Sequence, residues 1–435
     1  MHEFAKWLRP GLGVKRWLLV VAIGILLLAL GIALLLTHIY RTVGFTGVSG
    51  QIAYITTLQY IDRPMRGILL ILGGIILAGM GAWRFQRTVL EPFLSKREKL
   101  FDTYTDYHRR RVGPRIVTIG GGTGMSLMLR GLKHYTDDIT AIVTVADSGG
   151  SSGRLRANLG VLPPGDIRQN IIALSDKESM MAKLFDYRFE GERYGEGLSL
   201  EGQNFGNLFL VAMNAITGDF VSAVRESSRI LNIRGQVLPS TTIPITLCAE
   251  LTNGDIIRGE ETIDLGKYHG AHTKKIKRVY LEPENQPTLS TVTKAIAEAD
   301  IIVMGPGDLY TSLLPNLLVT DLADAIKQRT NIERIFVCNV ANKPTETEGF
   351  TVTDYVKTIQ EHVGLLCSTV LVNTNVSLTP YKEQTPFVIV DREAFCTYPS
   401  VSFVEADLIN ENKTVNHNAD KVSKAIMDIF RERNF

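Results

Sequence analysis

Cysteine is scarce. The chain has four, Cys248, Cys338, Cys367 and Cys396, and none belongs to a C-x-x-C pair. This spacing argues against a disulfide scaffold and a thiolate zinc site, and fits buried, reduced thiols. His269 and His272 are three apart but sit in a polar stretch without helix or strand periodicity, a poor setting for a metal. An excess of one charge is also missing: 47 Lys and Arg against 45 Asp and Glu leave a formal charge of +2. Nucleic-acid binding would want a basic patch on the folded part, so it gains no support. There is no internal repeat and no long low-complexity tract.

Long apolar runs are present, and charge is missing within them. Residues 17–37 read WLLVVAIGILLLALGIALLLT and residues 67–83 read GILLILGGIILAGMGAW, both uncharged. A helix crosses a bilayer with roughly 17–25 apolar residues, so two spans are expected. The alternatives are a signal peptide for the first and a buried or re-entrant helix for the second. The first run is too long for a signal peptide and lacks a clean cleavage site. Basic residues crowd both outer flanks: Lys6, Arg9, Lys15 and Arg16 before the first run, Arg84, Arg87, Lys96, Arg97 and Lys99 after the second. The loop between holds only Arg41, Arg63 and Arg66. The positive-inside rule then gives a multi-pass cell-membrane protein: a cytoplasmic 1–16, spans at 17–37 and 67–83, an outside loop 38–66, a basic linker 84–114 and a cytoplasmic domain 115–435. The linker either meets anionic headgroups or is simply solvated.

From Arg115 onward, β-branched runs alternate with helical stretches. RIVTIG (115–120), ITAIVTVAD (139–147), DIIVMG (300–305), RIFVCNV (334–340) and STVLVNT (368–374) read as strands, with helices at 321–328 and 353–362 among the connections. The expected fold is α/β: a Rossmann-like, doubly wound, mainly parallel sheet. Residues 242–263 break the alternation with two β-like runs around Asn253-Gly254, an inserted antiparallel hairpin. KKIKRVYLEP follows. Its basic residues Lys274, Lys275, Lys277 and Arg278 are either a solvated face or a wall toward an anionic ligand.

The chemistry gathers in loops. Gly120, Gly121, Gly122, Thr123 and Gly124 join a strand to a helix. Such a turn lets backbone N–H groups and a helix N-terminus meet phosphate. The loop lacks the third glycine of G-x-G-x-x-G and the Lys-Ser/Thr of a P-loop. VADSGGSSGRLR then offers Asp147 for a ribose or sugar hydroxyl, a polar nest at Ser148, Gly149, Gly150 and Ser151, and Arg154 and Arg156 for phosphate. In PPGDIRQN, Asp166 reads first as a helix cap. GQNFGNL contributes Asn204, Gly206 and Asn207, and GPGDLYTSLLPN repeats a glycine turn at Gly305, Pro306 and Gly307. No convincing nucleophile–base pair is present.

The order GGGTG, VADSGGSSGRLR, PPGDIRQN, NFGN, ILNIRGQVLP, KKIKRVYLEP and GPGDLYTSLLPNLLV closely resembles the CofD/YvcK family over essentially all of residues 115–430. The resemblance is greatest to the YvcK-type branch of bacterial gluconeogenesis and cell-shape factors. It implies a Rossmann-like core that binds a UDP-sugar, notably UDP-N-acetylglucosamine. The other branch implies a 2-phospho-L-lactate transferase using a nucleotide-activated donor. Gly120–Gly124, Asp147, Asn204, Gly206, Asn207 and Gly305–Gly307 match the family's loops. Where many relatives carry Asp-Asp, this chain carries Asp147-Ser148. That departure leaves a magnesium site one carboxylate short, so no cofactor is expected to be required. A homo-oligomer and a partner protein tied to cell-wall synthesis are left open.

Overall fold

The computed structural model describes residues 110–175, 180–190, 200–267, 275–376 and 385–434, with scattered positions between 25 and 80. The chain divides into two units, Met1–His108 and Arg109–Phe435. In the first unit the expected spans, outside loop and linker fall mostly outside the described residues. Ile25, Leu26, Ile32, Leu72 and Ile76, which are described, are helical and exposed. Among the described residues no single helix is long and apolar enough to cross a membrane. His269, His272 and Lys274 also lie outside the described residues.

The described residues of the second unit hold ten strands: β1 (Ile116–Gly120), β2 (Ile139–Val143), β3 (Gln236–Pro239), β4 (Thr246–Leu251), β5 (Ile256–Arg258), β6 (Ile276–Glu282), β7 (Ile301–Met304), β8 (Glu333–Val337), β9 (Thr369–Asn373) and β10 (Ser402–Ala406). Seven form one sheet in the order β10-β9-β8-β7-β1-β2-β3, and every neighbouring pair is parallel. The central strands are covered on both faces, which is why they read as unbroken apolar runs: β1, β2, β7 and β9 are buried at every residue. The order runs outward from β1 in one direction and from β7 in the other. Their junction is the switch point at which open α/β sheets leave a crevice beyond the strand ends.

Two helices frame that crevice. Gly122–Leu132 follows β1 and buries Met125, Met128, Leu129 and Leu132. The C-terminal helix Ala419–Asn434 packs on it so closely that a Cβ at Gly131 would stand 2.2 Å from Ser423 Oγ. The inserted segment is a separate antiparallel sheet, β5-β4-β6, turning at Asn253-Gly254, where Gly254 has φ +87°. Its basic residues Lys277 and Arg278 both pair with Glu250, at 2.7 and 2.6 Å, on an exposed face. They form an ion-paired face open to solvent.

β3 and β10, the edge strands, were not anticipated. β2 is shorter than expected: it ends at Val143, and residues 144–147 leave the sheet and carry Asp147 into a loop. Cys248, Cys338 and Cys367 are buried and unpaired as expected, whereas Cys396 is exposed.

Candidate functional site

At the switch point the turn after β1 meets the turn after β7. A Cβ at Gly124 would lie 2.6 Å from the Pro306 carbonyl oxygen, so only glycine lets the loops touch. Gly122 has φ +63°, a conformation that disfavours a side chain. Asn316 Nδ2 donates to Gly120 O at 2.8 Å, and Gly307 N donates to Asn339 Oδ1 at 3.3 Å. Between the loops is a cavity of about 190 Å³. The glycine turn, Pro306, Gly307, Asp308 and the segment ending at His417 line it. The first-turn N–H groups of the Gly122–Leu132 helix have no intrahelical acceptor, which suits an anion. The first turn carries no acidic residue.

A second cavity of about 200 Å³ shares Gly122, Thr123, Asp308 and Ser312 with the first, and it is acidic. Asp147, Asp166, Glu260, Asp264 and Asp308 all line it. Burial, reinforced by the Asp147 carboxylate, pushes Asp166 up to about 7. The same two causes push Glu260 up to about 8. Asp147 is itself raised, mainly by burial, although Gly149 N donates to its Oδ1 at 2.8 Å. Nearby arginines are engaged elsewhere: Arg156 donates to Ile245 O at 2.6 Å, and Arg168 pairs with Asp186 at 2.7 Å. Among the described residues no Lys or Arg forms an ion pair with Asp147, Asp166 or Glu260.

A different trio is neutralised. Asp264, Asp308 and Glu346 bring one oxygen each within 4.8 Å of one another, the spacing of a metal site. However, the Lys343 ammonium already sits among them, 2.8 Å from Asp308 and 3.1 Å from Glu346, and also bonded to Asp264. The three carboxylates raise the Lys343 pKa despite its burial. We read this trio as an internal ion cluster that fixes the turn after β7. Asp147, Asp166 and Glu260 form no such ion pair among the described residues, although the Arg156 guanidinium is near enough to favour the Asp147 anion.

Of the residues singled out from the sequence, Gly121, Gly122, Thr123, Gly124, Asp147, Pro306 and Gly307 line the two cavities, with Gly120 and Gly305 just behind them. The others are engaged in local structure. Ser148 Oγ accepts from Glu261 N at 3.0 Å and latches the short helix carrying Glu260. Gly149 precedes the helix Gly150–Leu159. Ser151, Gln203, Asn204 and Asn207 are knotted together: Ser151 Oγ donates to Gln203 Oε1 and accepts from Asn204 N and Asn207 Nδ2. Asn204 also caps the helix Phe205–Thr217, and Gly206 packs against Phe185 O. Arg154 reaches outward to Glu201 O.

Asp166 is not the cap expected of it. Pro164 holds that position, and the Asp166 carboxylate accepts the Gly122 N–H. Asp166 and Glu260, from elsewhere in the chain, thus bring two further carboxylates to the cavity lined by Asp147. Asp166 and Asp308 were visible inside the glycine-proline motifs. Glu260, Lys343, Glu346 and His417 carried no local signal.

The family profile described as 2-phospho-L-lactate transferase CofD matches residues 116–409. A protein of Nostoc sp. is 46% identical over 442 residues, covering 98% of this chain and 92% of its own length. The Bacillus subtilis protein named gluconeogenesis factor is 41% identical over 325 residues, covering 73% of this chain and 99% of its own. A solved structure from Bacillus halodurans, titled a member of the UPF0052 family, superposes with a TM-score of 0.66 at 40% identity, over 73% of this chain and 99% of that one. Relatives thus occur with and without a counterpart of the N-terminal unit. With the switch-point cavity and this coverage together, the chain belongs to the CofD and gluconeogenesis-factor family.

Proposed function

We propose that the switch-point cavities bind a nucleoside diphosphate sugar, of the UDP-N-acetylglucosamine kind, with its diphosphate over the glycine loops. Asp147 and Asp166 would hold a divalent cation such as magnesium, which would neutralise charge on that diphosphate. The observation that carries this reading is the meeting of a phosphate-type helix N-terminus with the part-buried carboxylates of Asp147, Asp166 and Glu260, which form no ion pair among the described residues. A divalent cation would hold these carboxyls in their anionic form beside a diphosphate, and hard oxygen ligands of this kind suit magnesium. In this reading the protein is a gluconeogenesis factor that senses the nucleotide sugar and adjusts the supply of cell-wall precursors. It is tethered by two N-terminal spans, with the domain on the cytoplasmic side.

The carboxylates favour a second reading, transfer of a phospho-lactyl-type group from a nucleotide donor. There the same cation would neutralise charge developing on the phosphoryl oxygens. The family profile supports this reading, and the absence of an evident nucleophile–base pair does not oppose it, because the acceptor would bring its own hydroxyl. Incubating the full-length chain with magnesium and nucleotide, with and without a hydroxy-acid acceptor, separates the two. We expect UDP-N-acetylglucosamine to be bound and recovered intact. Time-dependent, magnesium-dependent loss of a nucleotide donor would make the protein a transferase.

A further inference from the structure

His417 is 5% exposed, and neither Nδ1 nor Nε2 has a hydrogen-bond partner. A buried polar group without a partner costs free energy, and native proteins leave few of them. His417 is among the residues lining the glycine-loop cavity, with Leu127, Val340 and Val415 and with the polar Asp308, Ser312, Asn339 and Asn416. None of them gives its ring nitrogens a hydrogen bond. Burial lowers its pKa to about 4, so the imidazole is neutral, with one donor and one acceptor.

Its position is fixed from both sides. The chain after β10 doubles back: Ile409 bridges His417, Asn410 N donates to Asn416 O at 2.9 Å, and Asn418 N donates to Leu408 O at 2.8 Å. The C-terminal helix begins two residues after His417 and is held against the glycine-loop helix at Gly131 and by Ser423 Oγ, which donates to Met128 O at 3.3 Å. The packing of the two helices thus places residue 417 on the same cavity as the glycine turn. The cavity, about 190 Å³, is small enough that a diphosphate on the loop lies within reach of the opposite wall.

We infer that His417 is a ligand-contacting residue whose ring N–H donates to a phosphate oxygen of the molecule seated on the glycine loop. This rests on the nucleotide reading for the identity of the ligand, but only its phosphate matters here. Occupied, the site satisfies an imidazole that is otherwise unpartnered; a ligand without that oxygen forfeits the gain.

The test uses the full-length chain with magnesium, titrated calorimetrically with UDP-N-acetylglucosamine and separately with inorganic pyrophosphate. Wild type, His417→Leu and His417→Gln are compared, and the thermal midpoint of each is measured without ligand. Leucine removes the unpartnered nitrogens, so His417→Leu should melt at or above the wild-type midpoint. Its affinity for both probes should drop about tenfold or more. His417→Gln, which keeps an N–H donor, should regain part of that loss. Equal affinity in wild type and His417→Leu overturns the inference. So does a lowered midpoint in His417→Leu with no recovery in His417→Gln, which would assign the ring to the fold. A loss confined to the nucleotide sugar overturns the phosphate contact. Pyrophosphate binding that depends on His417, with no UDP-sugar binding by the wild type, would uphold the inference while refuting the nucleotide reading. If the wild type binds neither probe, both fall.

Discussion

Single residues do different work here from what their motifs suggest, and Asp166 is the clearest case. Its proximity to Pro163-Pro164-Gly165 makes it look like a helix cap, yet it faces the cavity and receives the Gly122 N–H. The native carboxyl keeps its proton up to about pH 7, whereas the unfolded one releases it near the ordinary carboxylate value. Native protein therefore binds more protons than unfolded protein across that window, and its stability falls as pH rises through it. Asp166→Asn keeps an acceptor for Gly122 while removing the charge. Without ligand or cation, the variant should melt roughly 2–4 °C above the wild type at pH 8 and match it near pH 4. Thermal unfolding at the two pH values checks this. A variant that melts below the wild type at pH 8 would mean that the carboxylate is stabilising as an anion and that the acidic cavity has been misread.

At the scale of elements, the sequence disclosed what repeats locally and hid what is assembled from afar. β1, β7, β8 and β9 were legible because burial on both faces leaves unbroken apolar runs. The β4–β5 hairpin was legible because Asn-Gly supplies the turn. The edge strand β10 was not. Its residues are only partly buried, so no apolar run marks it, and its partner β9 lies about thirty residues earlier. The site divides in the same way. The glycine turns and Asp147 announced themselves by composition. Glu260 is delivered by a five-residue helix held through Ser148, a contact 113 residues apart in sequence. Lys343 reaches the turn after β7 from beyond β8. Long-range delivery of this kind leaves no local pattern. The Ser151–Asn204–Asn207 knot shows the converse: the motif was conspicuous, and its hydrogen bonds turn inward and hold two helices together.

For the whole molecule, the proposed function joins a membrane hairpin to a phosphate-binding α/β domain. The uncharged runs with basic outer flanks motivate the hairpin. In a chain freed of its native cysteines, Ser49→Cys should react with an impermeant thiol reagent in intact cells; reaction only after permeabilisation would reverse the topology. The domain's central claim is that Asp147 and Asp166 hold a cation for the ligand's diphosphate, and the most direct measurement is affinity. UDP-N-acetylglucosamine should be titrated into full-length wild type and Asp147→Asn, each in magnesium and in EDTA, with Gly122→Val as the non-binding control. Wild type should bind at least about tenfold more tightly in magnesium, the equivalent of one charge-assisted contact. Asp147→Asn should lose that enhancement. Equal wild-type affinity in magnesium and EDTA, or a mutant that weakens both alike, would contradict the account.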